Sequence, residues 1–319
     1  MTFVIAKITD ANSGAVTLLS DTKVTDRIDD TASRRTLSNP GQKVVIVDDD
    51  IVVGVAGDTP ASAVNRVAEL RGQSVYGIED ALRAFSAEMH ETAGASKSFL
   101  VVARTPEPRI TVISRGQQED RTAIGTGWIG DREAFNAFSE VFQDDSAPGE
   151  LGLDARFFFA MSGLIAWEDV DTVGGYLVRV SGRSDKPLRF MPDTGLVMPD
   201  DINGTIIHKP HGQATLDLSL ADGADPTRHM RLPIPGTGLT YSALAHYIPE
   251  ARTAWLHTHE HPGDQPKRLT VDSLSELVEV AQSKYGQFLD TTVAQRVLQG
   301  NHPPPSMLYM RPYPGNDGR

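Results

Sequence analysis

Along the first 190 residues, apolar positions come in short blocks whose period switches from strand-like to helical and back. Phe3 to Ile8 is apolar and rich in β-branched residues, Asp10-Ala11-Asn12-Ser13-Gly14 supplies turn chemistry, and Ala15 to Leu19 is apolar again. This predicts a β-hairpin that doubles back near Ala11 and Asn12, with Thr2 and Asp21 facing each other across its open end. Asp26 to Gln42 is polar and ends in Asn39-Pro40-Gly41, which predicts a loop. Lys43 to Val47 and Ile51 to Ala56, separated by Asp48-Asp49-Asp50, predict a second hairpin.

The period then becomes helical. Gly57-Asp58-Thr59-Pro60 offers a cap and a first-turn proline, and Ala63, Val64, Val67, Ala68 and Leu70 follow at helical spacing up to Arg71. A second helix is predicted from about Gly77 to Thr92, with Ile78, Ala81, Leu82, Phe85 and Met89 on one face, a stripe read as core packing. Ser98 to Arg104, Arg109 to Ser114 and Arg121 to Gly125 predict strands, Asp131 to Phe142 and Leu153 to Trp167 helices, and Val173 to Val180 and Pro187 to Met191 further strands. Paired helices between runs of strands suit an α+β fold of two sheets packed face to face under outer helices. A parallel doubly wound sheet would need strict alternation of strand and helix.

Near Asp193 the composition shifts: prolines become frequent, and eight of the nine histidines lie beyond Asp200. We therefore divide the chain into residues 1–192 and a smaller α+β part at 193–319, with Pro192 to Gly204 as the boundary segment. In the second part Gly204 to Lys209, Ala214 to Leu220 and Met230 to Ile234 predict strands, and Leu269 to Tyr285 and Thr292 to Leu298 predict helices. The alternation of His257, His259 and His261 would turn three imidazoles to one side of a strand, a spacing that suits a zinc site. With Asp272, His259 and His261 also match the ligand spacing of JAMM-type zinc peptidases. Those sites need a glutamate from an earlier strand, and Glu250 is the only glutamate between Glu168 and His257. We read the histidines as packed or solvated, with no metal.

The net charge of -12 argues against binding nucleic acid or anionic lipid, and the absence of cysteine excludes disulfides, thiolate metal sites and a cysteine nucleophile. No apolar run approaches the length of a membrane span and the chain starts without a secretory pattern, so a cytoplasmic protein is expected.

Thr2 follows Met1 directly, and a side chain this small predicts removal of the methionine. The residue then exposed carries a hydroxyl and a free α-amine, a complete nucleophile–base unit. Asp21 and Thr25 stand four apart after the first hairpin, and Gln42-Lys43-Val44 puts a lysine ahead of an apolar strand. Gly57, in Val55-Ala56-Gly57, follows Lys43 by fourteen residues, and Ala123-Ile124-Gly125-Thr126-Gly127 precedes a helix. In this order and on these elements, residues 2 to about 190 resemble the proteasome β-type family of N-terminal-nucleophile hydrolases, which includes the bacterial ring peptidases.

The resemblance implies a four-layer αββα sandwich and a threonine-type peptidase. Thr2 would be the nucleophile, Lys43 the buried charge that lowers the proton affinity of its amine and hydroxyl, and Asp21 the partner that fixes Lys43. Gly57 would offer its N–H to the oxyanion, and Thr126 would bond the α-amine with Asp169 and Thr172 in support. Thr25 and Thr59 would flank a substrate strand, and Val45 and Val55 would line an apolar pocket. No cofactor is implied. The implied partners are a polypeptide substrate, further copies in a homo-oligomeric ring, and an unfoldase or regulator. The chain departs from the family pattern at Phe3, in the longer stretch between Asp21 and Lys43, in Thr126-Gly127 for Ser-Gly, and in an extra residue within Asp169 to Gly175. Two other readings stay open: a catalytically silent scaffold of this fold, and an amide hydrolase acting on small molecules.

Overall fold

A computed structural model describes residues 2–24, 40–57, 60–143, 152–167, 170, 172–192, 194–197, 202–208, 214–220, 227–235 and 243–300. The first hairpin joins β1 (Phe3–Asp10) to β2 (Ala15–Ser20), in register from Val4↔Ser20 to Ile8↔Val16. On the far side of β1 lies β8 (Thr126–Gly130), and β2 pairs with β9 (Val178–Arg183), which pairs with β10 (Lys186–Phe190). The second antiparallel sheet runs in chain order: β3 (Val44–Asp48), β4 (Ile51–Gly57), β5 (Lys97–Ala103), β6 (Arg109–Ser114) and β7 (Gln117–Asp120).

Side-chain alternation decides which layer each face meets. Val4 and Ala6 of β1 share a buried cluster with Val44, Ile46, Val52 and Leu100 of the second sheet. Phe3 and Ile5 turn the other way, onto Ala134 and Phe138 of α3 (Arg132–Gln143) and Phe157 and Met161 of α4 (Leu153–Trp167). In the second sheet, Val45, Val53, Val55, Phe99 and Val101 pack on Ala63, Val64 and Val67 of α1 (Pro60–Ala68) and Ile78 and Leu82 of α2 (Val75–Ala93). Each of the larger of these side chains, when fully buried, contributes roughly 1.5–3 kcal/mol. α2 is bounded chemically: Ser74 accepts from the Gly77 N–H, and Gly94 closes the helix in the left-handed region at φ 58°.

A third sheet orders β11 (Thr194–Val197), β14 (Thr227–Ile234), β15 (Ala243–Ile248), β16 (Thr253–Leu256) and β17 (Lys267–Thr270), beside a separate hairpin of β12 (Ile202–His208) and β13 (Ala214–Leu220). Its face bearing Met230, Leu232, Ala245 and Tyr247 packs on Leu277 and Ala281 of α5 (Leu274–Tyr285) and Ala294 of α6 (Thr292–Leu298). The split at 192/193 falls between β10 in the first sheet and β11 in the third.

Three expected elements differ; the strand expected over Val173–Val180 forms only from Val178 and runs on to Arg183. The strand expected at Arg121–Gly125 is a short 3₁₀ turn, Thr122–Ile124, flanked by β7 and β8. Gln117–Asp120 is wholly exposed and polar, so only its pairing with β6 across the left-handed Arg115-Gly116 turn makes it a strand. The helix expected from Leu269 starts at Leu274, because Lys267–Thr270 pairs with β16 and the Ser273 side chain caps the helix by accepting from the Glu276 N–H.

Candidate active site

The β1–β2 register carries the chain one step past Ser20 to Asp21, whose N–H donates to the Phe3 carbonyl at 3.5 Å. The Asp21 side chain is thereby held beside Thr2, and both residues are buried. Thr2 Oγ1 donates to Asp21 Oδ1 at 2.8 Å, and the Phe3 N–H donates to the same oxygen at 3.1 Å. Lys43, next to the first residue of β3, sends Nζ to Asp21 Oδ1 at 2.9 Å and Oδ2 at 3.0 Å, and to the Lys23 carbonyl at 2.5 Å. Oδ2 also accepts from the N–H groups of Lys23 (3.2 Å) and Gly174 (3.3 Å). Thr2 and Lys43 therefore meet through one carboxylate.

Both side chains of the Lys43–Asp21 pair have zero solvent exposure. Loss of water around Lys43 lowers its pKa from the ordinary lysine value, and the neighbouring Asp21 charge, acting the other way, does not fully offset it. An ammonium held in so dry a setting projects a strong field onto the hydroxyl beyond Asp21.

Gly57 ends β4 at φ 124°, and a Cβ there would stand 1.9 Å from the Ser96 carbonyl oxygen, so only glycine fits. The Arg104 N–H donates to the Asp50 carbonyl, which fixes the even-numbered residues of β4 as those bonded to β5. The Gly57 N–H accordingly points the opposite way, to the side on which the Val55 N–H donates to the Lys43 carbonyl at 2.8 Å. It faces the space beyond the start of β3, at the Lys43 end of the sheet. Val45 and Val55 are buried on the helix-facing side of that sheet, against Ala63 and Val64.

Thr126 is not brought to Thr2. It pairs with Lys7 in the β1–β8 register and accepts from Lys7 Nζ at 3.0 Å, five residues along β1 from Thr2. At about 3.3 Å per residue, that is roughly 16 Å away. Gly130 and Asp131 occupy the place expected for Thr126-Gly127. The Asp131 N–H donates to the Thr2 carbonyl at 2.9 Å, and Gly130, at φ 105°, lies so close that a Cβ would be 1.8 Å from the same oxygen. The Asp131 carboxylate caps α3, accepting at Oδ1 from the N–H groups of Glu133 (2.8 Å) and Ala134 (3.4 Å), and at Oδ2 from Thr172 Oγ1 at 2.6 Å. Thr172 is thus at the site, while Thr25, Thr59 and Asp169 lie outside the described residues.

Asp131 was not singled out from the sequence as a site residue, and Gly174 entered only as part of the Asp169-to-Gly175 stretch. The available signal is the Gly130-Asp131 step from strand to helix, which in the sequence marks only a helix start. Gly174 and Gly175 let the strap after α4 close on the site: the Gly174 carbonyl accepts from the N–H groups of Thr22 and Lys23, and the Tyr176 N–H donates to Thr22 Oγ1 at 2.7 Å. His257, His259 and His261 do not converge, because the strand ends at Leu256. His257 is buried, His259 half-buried and His261 exposed. Among the described residues no group of three or more potential ligands could hold a metal ion, and no helix is long and apolar enough to cross a membrane.

Neither the protein-family models nor the curated proteins contain a match to this chain.

Proposed function

We propose that the chain is a threonine-type peptidase of the N-terminal-nucleophile class, built on a four-layer αββα sandwich, with Thr2 as nucleophile once the Met1–Thr2 bond is cleaved. The observation that carries this reading is the dry Thr2–Asp21–Lys43 chain of hydrogen bonds at the end of β1. A buried ion pair is a weak device for stability alone, and here it is aimed at a hydroxyl on the second residue. In the reaction Thr2 Oγ attacks the scissile carbonyl and passes its proton to the α-amine. The oxyanion is received by the Gly57 N–H. Collapse delivers the amine's proton to the leaving peptide nitrogen, and water then hydrolyses the Thr2 ester. Val45 and Val55, expected to line a pocket, are fully buried against α1 and offer no surface to a substrate, so a preference for apolar residues rests on the family resemblance alone. The family resemblance brings with it a ring of copies, which mass in solution tests.

Intact mass should show Met1 absent, and a peptide epoxyketone or boronate should form an adduct that Thr2→Ala abolishes. A protein that retains Met1 throughout, or hydrolyses peptides equally well as Thr2→Ala, overturns the reading. Turnover of peptides against small amides separates peptidase from small-molecule hydrolase.

A further inference from the structure

The nucleophile's α-amine needs a partner that orients its lone pair and stabilises the ammonium formed when it takes the hydroxyl proton. Asp21 is engaged on the hydroxyl side. The opposite side is defined by the bond from the Asp131 N–H to the Thr2 carbonyl at 2.9 Å. In an extended strand a residue's own N and C=O lie on the same edge, so the Thr2 nitrogen also faces Asp131. The carboxylate there is itself fixed, by two N–H groups of α3 at Oδ1 and by Thr172 Oγ1 at Oδ2. Thr172 and Gly174 belong to one strap, and Gly174 donates to Asp21. The strap therefore ties the Asp131 carboxylate to the Asp21 carboxylate.

From this geometry we infer that Asp131, held by Thr172, is the positioning residue for the α-amine of Thr2, a role that rests on the peptidase reading above. Asp131 acts on the amine as the carboxylate of a serine triad acts on its imidazole: it fixes orientation and stabilises the cation that appears only as the proton moves. The acid is delivered by the cap of α3.

The test uses the full-length protein with Met1 removed, confirmed by intact mass. Asp131→Asn keeps a good helix cap while removing the charge. It should lower kcat for an apolar-terminated fluorogenic peptide by roughly 10- to 100-fold with KM unchanged. It should also move the acid limb of kcat/KM to lower pH, since the ammonium loses its neighbouring anion. Thr172→Val, which leaves the cap intact, should do the same to a smaller extent. A boronate, which needs only Oγ, should still bind Asp131→Asn, whereas an epoxyketone, which closes a ring through Oγ and the α-amine, should react more slowly. Wild-type kcat and an unmoved pH profile in both variants overturn the inference and leave the nucleophile standing. Failure of either probe to label the wild-type protein at Thr2 overturns the underlying reading instead. Asp131→Asn is compared only after its circular dichroism matches wild type, and if it does not fold, Thr172→Val decides by the same readouts.

Discussion

At the scale of single residues, Asp21 carries the most. Its two oxygens accept from Thr2, Phe3, Lys23, Lys43 and Gly174, so one carboxylate gathers β1, the chain after β2, the start of β3 and the strap after α4. Neither Asp21 nor Lys43 reaches water, so each depends on the other. Lys43→Met should therefore destabilise the fold by about 3–5 kcal/mol, the usual consequence of stranding one member of a buried pair. Adding Asp21→Asn should cost less than the sum of the two single changes, by roughly 0.5–3 kcal/mol. Urea unfolding of the four proteins checks this. Strict additivity would mean that the two side chains are energetically independent despite their 2.9 Å contact.

At the scale of elements, the site lies where two strands end against close backbone neighbours. β4 ends at Gly57 against the Ser96 carbonyl and β8 at Gly130 against the Thr2 carbonyl, both with positive φ. Gly72, at φ 79°, has open space around it. Gly72→Ala should lose only the left-handed penalty of roughly 1–2 kcal/mol. Gly57→Ala and Gly130→Ala should lose on the order of 1–3 kcal/mol more, because a carbonyl must move, and peptide turnover should fall in both. Equal stability losses at all three positions would contradict the tight strand ends. The same scale explains what could be read from the sequence. The two hairpins, α1 to α4 and the placement of Asp21 beside Thr2 were legible because apolar runs and turn residues fix register over short distances, whereas the Asp21–Lys43 pairing came only with the family resemblance. Gln117–Asp120 was not legible because it shows no apolar pattern: an exposed edge strand is recorded only in its partner's hydrogen bonds. The Ala123-to-Gly127 resemblance put Thr126 at the opening of a helix, but Thr126–Gly130 is a strand that comes before that helix, so the residue beside Thr2 is Asp131 and Thr126 stands beside Lys7. Asp131 itself reads as an ordinary helix cap, since its second role depends on Thr172, forty-one residues away.

At the scale of the whole molecule, the third sheet turns an unusually polar face to the strap that holds the site. Tyr176 stacks on His229 at 3.9 Å, His229 Nε2 lies 3.0 Å from His246 Nδ1, and Arg231 donates to the Leu177 carbonyl at 2.6 Å. Tyr176 also packs with Ile248 and Trp255, and His257 is buried beside His246. Burial holds all three imidazoles below their ordinary pKa. His257 is pushed down to about 4; beyond burial, His246 and Arg231 lower His229, and His257 and Arg231 lower His246. The unfolded chain, with histidines near 6.5, thus binds more protons than the folded one at mildly acid pH, and stability rises with pH there. The contribution is fully present above about pH 6.5 and is lost as the pH falls toward 4. For His257 alone the swing is about 3 kcal/mol. Urea unfolding between pH 7.5 and 4.5 should show this slope, and His257→Gln should make it shallower by up to about 1.4 kcal/mol per pH unit. Because the Tyr176 N–H is bonded to Thr22 and the Gly174 N–H to Asp21, the protection of these two amides, relative to the intrinsic exchange rate at each pH, should fall over the same pH range. A slope unchanged by His257→Gln, with both amides protected down to the unfolding pH, would separate the histidine face from the site and leave the third sheet a mere neighbour of it.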